Sequence, residues 1–554
     1  MVRTNLKISD LLKEVGLKEA DDRVRQKDRE IERLRPFESQ VHASRPEKLR
    51  RLLDNNRAIW TSNYTAPRTR AIHIDDPIYR HLLIQEEIAP IFNHPIVQRL
   101  AHIRQLSFSY LIFPSATHSR LSHSLGACRN AELALSRILQ KGKIFTSDGA
   151  IDIDLPDQEK QKLIVKAKVA ALLHDLGHGP FGHGLDQYIT AITGETSPDK
   201  FYAVDYVSEY LGETISSCGI DIDDILRILD SKRRSELDGY DTLISNLIDS
   251  PLDVDRMDYL VRDAHMTGLS IGTVNIDALI EHMVPFQGRI TVGDETREQV
   301  ILAFESSAIS YITHLLYARD SMYLNCYEHP RKLVAERMLT KAVDEFSRRN
   351  TTIEVKDLVL LTDEELLRML TEFSDPGDVS NNYAHALLRN VPFKEVFSIC
   401  PRKYAAYIEK QEMSKKDSKE ISREDEDVPP KPAKRIGNWE EDSLNYMDRN
   451  LITPAQWETK IAADAGLAED SWKIAVTVPS PGMVEPKFDD IKILVRTDSG
   501  YDYKKLDRMT GFWEGVLKHL AVDRYSIKVF ASCDLADAQI EGVYQAAEAL
   551  LTEK

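Results

Sequence analysis

Residues 171–183 read ALLHDLGHGPFGH. An apolar helical run delivers His174 and Asp175 to its end, and glycines at 177, 179 and 182 then break the helix around His178 and His183. An imidazole beside a carboxylate at the edge of an apolar run is expensive to desolvate unless the two are hydrogen-bonded or hold a metal ion. A His-Asp pair on its own is more often a hydrogen-bonded core or capping pair. The metal reading therefore needs ligands from elsewhere in the chain.

Two further segments supply them. HSRLSHSLG, at 118–126, carries His118 and His123 on a helix, and SPLDVDRMDYLVRDAH, at 250–265, crowds Asp253, Asp255, Asp258 and Asp263 into a region otherwise rich in Val, Leu and Met. Two imidazoles and two carboxylates, from His123, His174, Asp175 and one of these aspartates, leave positions open on an octahedral ion for water and a substrate oxygen. Such a donor set suits one divalent ion of Mn, Fe, Mg, Ni or Co better than a closed structural zinc.

These motifs, in this order, resemble the HD-domain phosphohydrolases, most closely the SAM-and-HD-domain deoxynucleoside triphosphate triphosphohydrolase group. The register begins at DDPIYRHLLI (75–84) and continues through NHPIVQRLAHIRQL, FPSATHSRLSHSLG, HDLGHGPFGH, the aspartate-rich segment and LLYARDSMYLNCYEHPRK. The resemblance implies that His123, His174, Asp175 and Asp255 hold the ion, with Asp253 a supporting acid. It places His178, His183 and Asp186 around an α-phosphate, where they handle protons. Arg120, Arg319 and Arg256, the last standing where relatives usually have lysine, would meet the triphosphate. Gln105, Leu106, Tyr259, Asp263 and Tyr327 would meet sugar and base, Tyr259 against the 2′ edge and Asp263 accepting from a 3′-hydroxyl. No adjacent His-His pair occurs, which favours a single ion.

The chain also departs from the pattern. Many relatives carry a His-Glu pair shortly after the HD motif, but ETSPDKFYAVDYVSEYL (195–211) contains no histidine. Asn93 and Ala101 stand where an aspartate and an arginine build the family's guanine-nucleotide effector pocket, and the first 70 residues show no SAM pattern. The expected reaction is water attack at the α-phosphorus of a deoxynucleoside triphosphate, releasing deoxynucleoside and inorganic triphosphate. The alternatives are an HD-type nuclease or phosphodiesterase acting on nucleic-acid ends or another nucleotide, and a noncatalytic nucleotide-binding sensor.

Composition sets the frame for these motifs. The 554 residues are 42% hydrophobic and 29% charged, enough for several cores. A net charge of −17 disfavours a protein that coats nucleic acid, which needs clustered cations. Five scattered cysteines, Cys128, Cys218, Cys326, Cys400 and Cys533, form no CxxC pair, so no disulfide framework or zinc knuckle is expected. No apolar run reaches the roughly 18 residues that cross a bilayer, and the first residues lack a secretory h-region; the cytoplasm is the expected location, with no membrane partner.

Periodicity predicts a mainly α fold: a helical HD-domain core with a small β-ribbon at RITVGDETREQVILAF, and a C-terminal α/β (α+β) lobe. The expected organisation is a helical arm over 1–70, with apolar spacing at 8–35, the core over 71–345, a helical extension over 346–408, a charged linker or loop over 409–436 and the lobe over 437–554. Within the lobe, WKIAVTV, IKILVRT and YSIKVFAS read as strands and the regions near 503–520 and 535–552 as helices. Homo-oligomers, dimers or tetramers, are implied by the resemblance.

Overall fold

The computed structural model describes residues 46–62, 70–272, 274–292, 295–350, 353–391, 393–399, 454–478, 490–509 and 526–552. The helical arm expected at 8–35 and the charged stretch at 409–434 lie outside them. The chain divides into two compact units, Met1–Ile59 and Trp60–Lys554; in the first, the described residues are helical. The second carries the motifs.

It begins with a hairpin, β1 (Ile72–Asp76) and β2 (Arg80–Ile84), paired antiparallel. Helix α1 (Arg120–Lys141) starts where the Ser119 hydroxyl accepts the Ser122 N–H and stops at Gly142, whose φ of +67° ends the helix in the left-handed region. Leu121, Leu125, Cys128, Leu135 and Leu139 are buried, and so are Ala127, Ala131, Ala134 and Ile138, so α1 is packed on more than one side. Strands β3 (Lys143–Thr146) and β4 (Gly149–Asp152) lead to α2 (Asp157–Leu173). Asp157 and Glu159 in its first turn suit the positive end of the helix dipole, and Ala167 to Leu173 are all buried. The helix thus ends inside the core, with His174 next in the chain.

Three helices complete the surroundings of that end: α3 (Asp186–Thr193), α4 (Pro198–Tyr206) and α5 (Val254–Thr267). The predicted ribbon is the antiparallel pair β5 (Met283–Val292) and β6 (Glu295–Glu305), followed by α6 (Ile309–Met322), α7 (Pro330–Arg349) and α8 (Asp363–Glu372). The helical extension ends in a strand, β7 (Lys394–Ile399), which the helical expectation for 346–408 did not contain. Its pairing partner comes some 130 residues later, so no local pattern announces it.

The C-terminal region is the expected mixture of strands and helices: α9 (Pro454–Asp464), β8 (Ile474–Thr477), β9 (Lys492–Arg496), β10 (Tyr501–Lys505), β11 (Ile527–Ala531) and α10 (Asp537–Thr552). The helix expected from about residue 503 is corrected at its start. Residues 501–505 pair antiparallel with β9, because Tyr501 and Tyr503 alternate with polar residues at strand spacing; residues 510–525 lie outside the described set.

These strands enter two sheets. The first has the order β10-β9-β6-β5-β3-β4, with β6-β9 and β3-β5 parallel, and buries Val284, Phe286, Ile301, Ala303 and Leu494. The second, β7-β11-β8, is antiparallel and packs Val476 and Val529 against Trp457 and Ile461 of α9 and Val543 and Ala547 of α10.

One buried carboxylate ties this lobe to the helical core. Glu458 of α9 accepts from Arg337 Nε and Nη2 of α7 at 2.8 and 2.9 Å, lies 3.1 Å from Lys341 Nζ, and takes the Val476 N–H at 2.9 Å. Removing one partner of such a group leaves buried charge uncompensated. Glu458→Ala is expected to lower unfolding stability in urea by about 3–5 kcal/mol; a loss below about 1 kcal/mol, the range of an exposed pair, would show that apolar contacts alone hold the lobe.

Candidate metal centre and nucleotide site

Three elements bring the four predicted ligands together. His123 sits one turn into α1, His174 and Asp175 follow α2, and Asp255 lies in the first turn of α5. His123 Nε2 is 3.1 Å from Asp255 Oδ1, 3.3 Å from His174 Nε2 and 3.7 Å from Asp175 Oδ2. His174 Nε2 is 3.3 Å from Asp175 Oδ1 and 3.7 Å from Asp255 Oδ1. Donor atoms bound at about 2.1 Å to one ion stand roughly 3.0–3.4 Å apart in octahedral or tetrahedral sets. His123, His174 and Asp175 therefore offer ligand atoms close enough together to hold a metal ion, and Asp255 lies against both imidazoles.

The imidazoles are also oriented for it. His174 Nδ1 is 2.8 Å from the Ala171 carbonyl, which can only accept, so Nδ1 carries the hydrogen and Nε2 is left with a lone pair. His123 Nδ1 is 2.8 Å from Oδ2 of the fully buried Asp258. Asp258 is in turn held by Arg262, Nε at 2.9 Å and Nη2 at 3.0 Å, and Arg262 Nη1 reaches Asp76 Oδ2 of β1 at 2.6 Å. A carboxylate behind a ligating histidine fixes its ring and raises its basicity. This support explains the glycine of HSLG: a Cβ at Gly126 would lie 1.7 Å from Asp258 Oδ1 and 2.6 Å from Arg262 Nη2.

The carboxylates around the two imidazoles favour their protonated forms. Burial alone would depress His123, but its bonds to Asp255 and Asp258 outweigh it and push the imidazole up to about 10. Burial likewise opposes charge on His174, yet the Asp175 carboxylate and the bond to Asp255 raise it to about 9. Burial would raise Asp175, but His174, Arg120 and His178 hold it well below the usual carboxylate range. A bound ion has to displace the protons on both imidazoles.

Next to the cage lies a second cluster. His178 Nε2 is 3.3 Å from Asp175 Oδ1 and 3.8 Å from Asp199 Oδ2 of α4, while its buried Nδ1 has no hydrogen-bond partner among the described residues. Burial, reinforced by Arg120, lowers its pKa. His183 meets the His178 ring edge-on at 4.7 Å and sets its Nδ1 2.6 Å from Asp186 Oδ2. Desolvation would lower His183; Asp186 overrides it and raises the imidazole. Gly182, at φ +50°, lets Arg120 pass, since a Cβ there would be 2.4 Å from Arg120 Nη2. The histidine-free stretch 195–211 contributes Asp199 to this cluster, a residue that the sequence reading did not single out.

The three arginines have different surroundings. Arg120 Nη1 donates to Asp175 Oδ2 at 2.6 Å, on the cage itself. Arg256 pairs with Asp253, which also caps α5 by accepting the Arg256 N–H at 2.8 Å. Arg319 of α6 is buried with its guanidinium 4.3 Å from the Tyr323 ring centroid, and its Nη1 has no hydrogen-bond partner among the described residues.

Tyr259 lies between the rings of His123 and Tyr327, at 6.3 and 6.2 Å. Asp263 is engaged at both oxygens, by His118 Nε2 at 2.7 Å and the Tyr327 hydroxyl at 2.8 Å. Gln105 donates its backbone N–H to the His118 carbonyl at 2.9 Å, and its buried side-chain Oε1 has no hydrogen-bond partner among the described residues, next to the buried Leu106. His118, Asp258 and Asp199 are the members of this site that sequence reasoning left without a role. For Asp258 a signal existed, since it stands one helical turn from both Asp255 and Arg262.

A family model described as the HD domain matches residues 120–263. An uncharacterized protein of Methanocaldococcus jannaschii is 30% identical over 314 residues, 56% of each chain. A protein of Dictyostelium discoideum named deoxynucleoside triphosphate triphosphohydrolase SAMHD1 homolog is 26% identical over 322 residues, 56% of this chain and 57% of that one. The human deoxynucleoside triphosphate triphosphohydrolase SAMHD1 is 27% identical over 310 residues, 51% of this chain and 45% of that one. The chain spans about half the length of these relatives. No helix among the described residues is long and apolar enough to cross a membrane.

Two outcomes follow for metal binding. Calorimetry with Mn²⁺ at pH 7, in buffers of different ionisation enthalpy, is expected to record release of about two protons per ion, and affinity that rises with pH up to the imidazole values near 9 and 10. Gly126→Ala, which displaces Asp258 from His123, is expected to weaken Mn²⁺ binding about 10–100-fold; unchanged affinity would show that Asp258 does not support the cage.

Proposed function

We propose that the chain, whose residues 120–263 match the HD-domain family model, is a metal-dependent hydrolase that cleaves deoxynucleoside triphosphates to deoxynucleoside and inorganic triphosphate, with water attacking the α-phosphorus. The observation that carries this reading is the meeting of His123, His174, Asp175 and Asp255 beside the histidine pair His178 and His183. A divalent ion held by those four, manganese in this reading, supplies Lewis acidity toward a phosphoryl oxygen.

The chain's own groups do the rest. His183, whose hold on a proton Asp186 strengthens, donates to the departing 5′-oxygen, while the buried His178 shares that proton path. Arg120, Arg256 and Arg319 meet the polyphosphate; Arg319 has an open Nη1, and Arg256 exchanges Asp253 for phosphate. Tyr259 closes the 2′ edge of the sugar. Asp263, braced by His118 and Tyr327, faces the 3′-hydroxyl, and Gln105 and Leu106 flank the base. The working form is a homo-oligomer.

Product analysis tests the reading. Purified protein with Mn²⁺ or Mg²⁺ is given dNTPs, rNTPs or labelled oligonucleotides. Inorganic triphosphate from dNTPs is the expected product; mononucleotides from oligonucleotides would indicate a nuclease, and metal-dependent binding without turnover a sensor. A pH profile tests the proton donor. Because Asp186 raises His183, kcat is expected to fall as pH rises through that raised value. Asp186→Asn should move the alkaline limb to lower pH and reduce kcat at pH 8 by about 10²-fold or more; an unmoved limb would remove His183 from the donor role.

A further inference from the structure

The loop carrying His178 and His183 is fastened from behind by residues far outside the matched domain. Arg99, fully buried, donates Nη1 and Nη2 to the His178 carbonyl at 3.1 and 2.7 Å and Nη2 to the Leu176 carbonyl at 3.3 Å. The same guanidinium reaches the Val359 and Leu361 carbonyls at 3.2 and 3.5 Å, so it joins the loop to the segment leading into α8. At the start of α8, Asp363 accepts the Phe181 N–H on Oδ1 at 2.6 Å and the Arg104 N–H on Oδ2 at 3.0 Å. Its side chain is 2% exposed.

Phe181 is the pivot between the two imidazoles. It has a φ of +57°, a region that non-glycine residues seldom occupy, and its ring stacks on Phe108 at 4.3 Å and 8°. A charged acceptor at 2.6 Å and that stack together hold a conformation the residue would not adopt alone. The carboxylate is not what secures α8. The helix is capped independently, Thr362 accepting the Glu365 N–H and Glu365 the Thr362 N–H, and it buries Leu366, Leu367, Met369 and Leu370. Burial leaves the Asp363 carboxyl at about 6 even with two backbone N–H groups bonded to it, a desolvation penalty that the loop contact has to offset.

We propose that Asp363 is a positioning residue for the proposed hydrolase: by anchoring the Phe181 N–H, it sets where His178 and His183 stand relative to Asp175. The catalytic consequence rests on the phosphohydrolase reading; the loop geometry does not. Displacing reacting groups by about 1 Å can lower turnover about 10²-fold while binding is kept.

Two readouts test it on the full-length, Mn²⁺-loaded protein. In Asp363→Ala, amide hydrogen exchange at Phe181 is expected to accelerate at least tenfold without nucleotide, with Mn²⁺ stoichiometry and circular dichroism unchanged. kcat should fall about 10²-fold with KM within threefold. Asp363→Asn keeps one oxygen for Phe181 but turns an amide donor toward Arg104, so it should lie between wild type and Asp363→Ala, and it carries the test if the alanine variant does not fold. Unchanged Phe181 exchange together with unchanged kcat in a folded variant overturns the proposal. A kcat loss that merely tracks Mn²⁺ loss overturns it as well. If wild type turns over no nucleotide, the functional reading fails, while the exchange measurement still decides the anchor.

Discussion

The site depends on one buried interaction, the contact of Asp258 with the Nδ1–H of His123. Asp258 is fully buried, and an unaccompanied carboxylate there would take up a proton. The hydrogen bond from His123 and the Arg262 guanidinium prevent this, and Arg262 is itself balanced by Asp76 at the end of β1. The alternation of charges runs from a surface hairpin to the innermost imidazole of the cage. Every member is hydrogen-bonded, the condition under which buried ions persist. Gly126 is the steric condition for it, since any side chain there would occupy the space of the Asp258 carboxylate. The hairpin at 72–84, which precedes the matched domain, thereby takes part in ordering the cage.

The two histidine clusters differ in their electrostatics. His123 and His174 are surrounded by carboxylates and favour positive charge, which an ion provides better than two protons. His178, beside Arg120, favours the neutral form, whereas His183 is raised by Asp186. Neighbouring imidazoles pushed in opposite directions are a usual way to place a proton acceptor and a proton donor within one site. Asp175 links the clusters, with Oδ2 toward His123 and Arg120 and Oδ1 toward His174 and His178.

Much of this was legible in the chain itself. Acids and imidazoles set in apolar helices singled out His123, His174, Asp175 and a group of aspartates as proposed ligands, and only the family resemblance chose Asp255 among them. Helices α1 and α5 carry caps, Ser119 and Asp253 at their starts and Gly142 and Gly268 at their ends, whereas α2 starts without a side-chain cap. What could not be read are contacts between residues far apart in sequence. Arg99 looks like an ordinary arginine until its partners 77 to 262 residues away are known, and Asp363 reads as a routine first-turn helix acid. Strand β7 lacks a local signal for the same reason, and the helix expected near 503–520 overlaps β10 at Tyr503–Lys505, where strand alternation and pairing with β9 prevail. Asp199 carried no local signal. It matters through where α4 packs, opposite His178.

In the proposed metal centre, His123, His174, Asp175 and Asp255 together hold one divalent ion. Metal analysis of the protein saturated with Mn²⁺ and freed of excess, alongside Asp175→Ala treated identically, tests it most directly. The account predicts one ion per chain in the wild type and almost none in the variant, with cooperative unfolding retained. A wild type that retains no ion, or an Asp175→Ala protein that retains a full equivalent, would contradict it.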